Sequence, residues 1–227
     1  MTEVNTFSAI VDDTVTRTGR VNLRTDIVSY ARVTMRESQS LIKSATDLIE
    51  DQITATASPH LWTKPQYFRE LTAVRYPGIF DPRGNPIYPK RIQPGKAQRN
   101  VDYYFYSSGT SFVFSGVSEN TLIDVAYLTW FTKLAYYATV AERPATFSLE
   151  DDEWSYATAT TDEEKEAARN LVTNWLIFDW YDMVLEGTVA KVWKAVGDAR
   201  APSSFSLFKS LQKDMVRTVT PDSYDGD

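Results

Sequence analysis

The chain has 227 residues, a formal net charge of −6, 43% hydrophobic and 24% charged residues, one histidine and no cysteine. These values bound it as a folded chain of one sizeable domain, or one domain with an appendage, long enough to bury a core without covalent staples. The missing thiols exclude disulfides, thiolate metal sites and cysteine nucleophiles. The acidic balance disfavours tight, sequence-reading DNA contact, which needs phosphate neutralisation, and suits a surface that DNA slides past.

No apolar run approaches the roughly 18 residues that span a bilayer. Met1–Thr6 shows neither a basic nor an apolar leader pattern, so no secretory signal is expected there. Thirteen Tyr and six Trp supply large buried area for a core and for contacts between subunits.

In chain order, Thr6 caps a helix over 6–18 whose apolar positions are Phe7, Ile10, Val11 and Val15, and Gly19 ends it in a left-handed conformation. Asn22 caps a second helix, with Asp26 in its first turn. Ile27, Tyr30, Ala31, Leu41, Ile42, Ala45, Leu48, Ile49 and Ile53 recur at helical spacing, so this helix is predicted over 22–54, roughly 45 Å long at about 1.5 Å per residue. Thr34 and Ser38 lie on the same stripe and are small, which would let another helix approach closely.

Ala55–Pro59 breaks the pattern. Phe68–Tyr76 suits a strand closed by Pro77-Gly78. The Pro- and Gly-rich stretch 79–100 reads as a long loop, and it concentrates Arg83, Lys90, Arg91, Lys96 and Arg99 against the single acid Asp81. These five bases are the candidate partner-binding loop. Val101–Tyr106, Thr110–Phe114 and Thr121–Trp130 then form an antiparallel meander, joined by Phe68–Tyr76 as a possible fourth strand, within 68–130. A short helix is expected over Phe131–Ala141, stopped at Arg143-Pro144.

Thr161 and Glu164 form a capping box for a helix over 161–186. Its stretch from Leu171 to Leu185 is apolar on nearly all sides, which calls for burial all round. A neighbouring copy would supply the second wall, so Leu171, Trp175, Phe178, Trp180, Tyr181 and Met183 are candidate oligomer contacts. Gly187 is expected to end that helix, and Val189, Val192, Trp193 and Val196 give another over 188–197. Phe205, Phe208, Leu211 and Met215 mark a short helix after Pro202, and the acidic end from Thr218 carries Tyr224.

Catalytic signatures do not emerge. His60 has no proposed nucleophile near it, and no GxSxG or GxGxxG occurs; Gly95-Lys96 lacks the earlier P-loop glycine. Glu150-Asp151-Asp152-Glu153 has oxygen ligands but no EF-hand pattern, so a solvated acidic loop is expected rather than a metal site. Glu50 and Asp51 are the only carboxylate pair with apolar neighbours. No catalytic residue, cofactor or metal is therefore assigned.

The order Thr18-Gly19-Arg20, Phe68-Arg69, Tyr103-Tyr104-Phe105-Tyr106 and Arg143-Pro144 resembles the head-to-tail adaptor (connector, tail tubular protein A type) of short-tailed bacteriophages, over roughly Phe7 to Tyr156. The resemblance implies an α+β fold: a helical bundle with one long central helix, a small antiparallel β-domain and a C-terminal helical arm. It implies a core over 1–200 and a docking arm over 201–227 that carries Phe205, Phe208, Leu211, Met215 and Tyr224 onto the portal. It further implies a homo-oligomeric ring, typically of twelve copies, joining the portal protein to the tail nozzle. Double-stranded DNA would cross the lumen without sequence-specific binding, in a virion neck assembled in the host cytoplasm. The chain departs from the family at Leu128-Thr129-Trp130, where a tyrosine–proline continuation is expected, and in its long extension after Tyr156. Two rival classes remain: an adaptor-like scaffold with cell-wall muramidase activity centred on Glu50, and a tail terminator or nozzle component.

Overall fold

The structure, a computed structural model, describes residues 5–43, 47–93 and 103–219. The chain divides into two units: Met1–Ser44 together with Phe131–Asp227, and Ala45–Trp130 inserted between them. The first unit is thus interrupted in sequence by the second.

Helix α1 (Phe7–Thr18) begins where expected: the Thr6 hydroxyl accepts the Ala9 N–H at 3.2 Å. Gly19, at φ 65°, ends it and sends its N–H to the Val15 carbonyl at 2.8 Å. Asn22 is not a cap. It lies in a 3-10 turn, Val21–Leu23, and α2 (Arg24–Gln39) follows directly.

The predicted helix 22–54 is overturned, and with it the bundle with one long central helix: the chain is α+β, but no such helix is shown. α2 stops at Gln39, and Leu48–Thr54 is strand β1. The physical reason lies in the spacing. Ile49 and Ile53 stand four apart, which satisfies a period of 3.6 and a period of 2 equally well. β8 (Leu122–Thr129) offers β1 a full antiparallel ladder from Leu48↔Leu128 to Thr54↔Leu122, and that ladder wins.

The remaining strands of the inserted unit are β2 (His60–Thr63), β3 (Phe68–Phe80), β4 (Pro86–Ile87), β5 (Lys90–Arg91), β6 (Tyr104–Ser108) and β7 (Ser111–Ser115). They form two four-stranded sheets, ordered β1-β8-β3-β4 and β2-β7-β6-β5. β3 does not stop at Pro77-Gly78. It pairs with β8 through Arg75, then with β4 at Tyr76 and Phe80, and a register shift between these two absorbs the proline, which has no ladder N–H. The expected meander is also broken. β6 and β7 form the hairpin, but β8 joins the other sheet. Ile123, Val125 and Tyr127 alternate inward and meet Phe105, Phe112 and Phe114 across a shared core, so the two sheets pack face to face. Tyr76 is fully buried there and donates its hydroxyl to the Ser115 carbonyl at 3.3 Å.

In the other unit, residues 131–139 are irregular rather than helical, and Val140–Glu142 is a 3-10 turn. The Phe131 N–H donates to the Gln39 side chain at 3.1 Å, so a buried side chain, not a helix, satisfies this backbone. A hairpin follows, β9 (Ala145–Ser148) with β10 (Glu153–Tyr156). Then come α3 (Asp162–Val172), α4 (Trp175–Asp179), α5 (Tyr181–Ala195) and α6 (Ala201–Val219).

The capping box at Thr161–Glu164 is present in both directions. The predicted helix 161–186, however, is three helices. Thr173 and Asn174 are both extended, and Asn174 caps α4 by accepting the Ile177 N–H at 3.0 Å. Trp180 makes the second break, at φ −129° and ψ 38°. Gly187 does not end a helix, and no separate helix 188–197 exists; both lie within α5. α5 packs against α1, α2, α4 and α6 and so occupies the middle of the helical core.

Candidate interaction surfaces

The breaks at Thr173-Asn174 and Trp180 decide the fate of the apolar stretch. Each segment turns its own apolar side inward: Val172, Leu176, Ile177, Met183, Val184 and Leu185 are all buried within the chain itself. The stretch therefore needs no second subunit to cover it. Of the six candidate contacts, Met183 is in the core, and Trp175, Trp180 and Tyr181 are half-buried against it. Trp175 meets the Phe131 ring at 5.7 Å, and the Tyr181 hydroxyl donates to Asp13 Oδ2 at 2.7 Å. Leu171 and Phe178 remain exposed, although Phe178 stacks on Trp154 at 6.1 Å and meets Phe147 at 5.2 Å.

The candidate docking arm is likewise a packed element as far as Val219. α6 buries Phe208 and Met215 completely, and Phe205 and Leu211 pack against the same core. Tyr224 lies outside the described residues. The basic loop is partly regular, since β4 and β5 interrupt it. Arg83, Lys90 and Arg91 are exposed, whereas Lys96 and Arg99 lie outside the described residues.

Two ionisable groups outside these sets, His60 and Asp151, are engaged structurally. His60 is buried, its ring parallel to Phe114 at a centroid distance of 6.4 Å, and its Nδ1 accepts the Thr56 N–H at 3.3 Å. Burial lowers its pKa. Ser148 donates to Asp151 Oδ2 at 2.9 Å inside the Glu150–Glu153 turn. Among the described residues, no group of three or more His, Asp or Glu is placed to hold a metal ion.

Two clusters escaped sequence reasoning. Asp12 receives Arg24 on one oxygen and Arg143 on the other, the latter at 2.9 Å, and Arg24 also donates to the Tyr136 hydroxyl. Lys191, Lys194 and Lys209 surround Phe205 and Phe208 in a cleft between α2, α5 and α6, with Lys191 ion-paired to Glu37 at 2.7 Å. Sequence distances of 131 and 154 residues carry no local signal for such pairs.

The surface of the β-unit has a clear polarity. β1 is an edge strand with Leu48, Ile49, Glu50 and Asp51 exposed. The opposite edge of the same sheet is β4; the end of β3 and the turn before β4 expose Phe80 and Arg83, Tyr88 follows β4, and β5, an edge of the second sheet, exposes Lys90 and Arg91. Between the edges lies a shallow trough lined by Glu50, Asp51, Gln52, Arg75, Tyr88 and Asp124, among others. Asp124 is held below the usual carboxylate range, first by the Gln52 amide at 2.7 Å and then by Arg75. The Glu50–Asp51 pair thus stands exposed on an edge strand, where both carboxylates line the open trough. No family model matches the chain, and no curated protein matches it either.

Proposed function

We propose that the protein is a structural component of a virion: a head-to-tail adaptor whose copies form a ring between portal and tail nozzle and let DNA through. The order of segments described above motivates this reading. The observation that carries it is the helical unit built from both ends of the chain, with a β-sandwich unit inserted between α2 and Phe131. The α+β class fits this reading, without the bundle around one long central helix. The inserted unit has an even balance of acids and bases, so the whole net charge of −6 belongs to the helical unit, which suits passage of DNA without sticking. No catalytic role is assigned to any residue. Most of 171–185 is covered from within, so of that stretch Leu171 and Phe178 are the large apolar side chains left exposed for assembly.

The test is a mass measurement of the purified protein, alone and mixed with the portal protein of the same virus. A discrete complex with portal, formed without other tail proteins, is the expected result. Binding to the nozzle but not to portal would make the protein a nozzle component. Peptidoglycan cleavage that disappears in Glu50→Gln would make it an enzyme.

A further inference from the structure

We infer that copies of this chain join edge to edge through the β-unit: β1 of one copy packs against the β4–β5 side of the next, which is a head-to-tail contact. The inference rests on the ring reading only for its biological setting; the contact itself is argued from the sandwich.

A sheet edge with free N–H and C=O groups is a template for another chain, and natural proteins blunt such edges unless they use them. β1 runs seven residues, and only Ile53 of them is even half-buried. It exposes two aliphatic side chains, Leu48 and Ile49, beside two acids, Glu50 and Asp51. The sheet order β1-β8-β3-β4 puts the basic side at the other extreme. There Phe80 and Arg83 are exposed, Phe80 at 58%; Tyr88, 66% exposed, follows β4 and reaches the trough beside Arg75, and Lys90 and Arg91 stand on β5, an edge strand of the second sheet. The two edges therefore match in kind: apolar with apolar, acidic with basic.

The charges are also free of ion pairs, although Asp51 accepts the Gln52 N–H at 2.8 Å. Elsewhere in the unit, Arg75 pairs with Asp124 at 2.5 Å and Arg69 faces Asp47 at 3.9 Å. Among the described residues, Glu50, Asp51, Arg83, Lys90 and Arg91 form no ion pair within the chain. Unlike edges cannot satisfy a two-fold contact, where each surface meets itself. They make a heterologous contact, which propagates until the rotation closes a ring. Complementary charge then sets partner choice and register.

The test uses the full-length protein and two charge-reversal sets, Glu50→Arg with Asp51→Arg, and Arg83→Glu with Lys90→Glu and Arg91→Glu. Self-association is read by sedimentation or native mass. Wild type is expected to associate, and about tenfold less readily as salt rises from 50 to 500 mM, since exposed pairs are screened. Each reversal set alone carries two like-charged edges and is expected to be monomeric. An equimolar mixture of the two sets restores opposite charges at every contact and is expected to reassociate with strict alternation. Recovery in the mixture also shows that both variants are folded. The inference is overturned if the reversals leave association unchanged, if the mixture fails to recover, or if wild type stays monomeric at about millimolar concentration. The adaptor reading would then still be judged by portal capture alone.

Discussion

Gly187 of α5 faces Thr34 of α2 with no room for a side chain: a Cβ built on Gly187 would lie 2.5 Å from Thr34 Cγ2 and 2.7 Å from Phe208 Cε2. Three helices meet here, and the stripe of small residues on α2 is what admits α5. Gly187→Ala adds about 1 kcal/mol of helix propensity. It must also push apart a packed core, which costs typically about 1–3 kcal/mol. The steric cost governs because Thr34 and Phe208 are both fully buried. We expect Gly187→Ala to lower the urea midpoint, and Thr34→Ala to relieve part of that loss in the double variant.

Phe208 distinguishes a packed α6 from a free arm. Its side chain is fully buried among α2, α5 and α6. Phe208→Ala is expected to destabilise the helical unit by about 3–5 kcal/mol, the usual range for removing a buried Phe. A free arm would lose nothing. Denaturant unfolding followed by tryptophan fluorescence decides the matter, since Trp175, Trp180 and Trp193 all belong to this unit.

Asp12 holds two guanidinium groups, and Arg143 is one of the few charged side chains that is buried, at 3% exposure. Asp12→Ala removes the carboxylate facing that buried cation. Bonds to charged groups are worth about 1.5–3 kcal/mol each, and Asp12 is itself partly exposed, so a loss of about 2–3 kcal/mol is expected. Asp12→Asn keeps the size without the charge and should fall between wild type and Asp12→Ala in thermal melts.

His60 predicts a pH dependence. It is the only histidine, so little else titrates between about pH 5.5 and 7.5. Burial lowers its folded pKa below the usual value of about 6.5, and protonation at Nδ1 would also break the bond from Thr56. The unfolded chain therefore binds the proton first. Stability from this group is fully present above about pH 6.5, falls as the pH drops below that value, and levels off below the folded pKa. The urea midpoint should fall between pH 7.5 and 5.5, and His60→Gln should flatten that slope. An unchanged slope in the variant would assign the effect to other groups.

Local chemistry was legible in the sequence where the signal is short-range. The Thr6 cap, the Gly19 terminus and the Thr161–Glu164 box were all readable, because each is decided by groups within one turn of helix. The β6–β7 hairpin was readable for the same reason, with Gly109 at φ 56° in its turn. The small positions Thr34 and Ser38 announced a close helix contact but not their partners, Gly187 of α5 and Gln212 of α6.

What the sequence determined by itself was thus the mixed α+β class, the ends of several elements and the chain's lack of thiol chemistry. Tertiary structure alone decided that Leu48–Thr54 is a strand, because its four-residue spacing fits both periods and only the ladder offered by β8 breaks the tie. It also decided that 171–185 is three segments mostly covered from within, because the breaks at Thr173-Asn174 and Trp180 turn the apolar side of each segment inward. Pairs such as Asp12 with Arg143 exist only once folding joins residues far apart in the chain, and no local pattern can encode a distance that the chain has not yet closed.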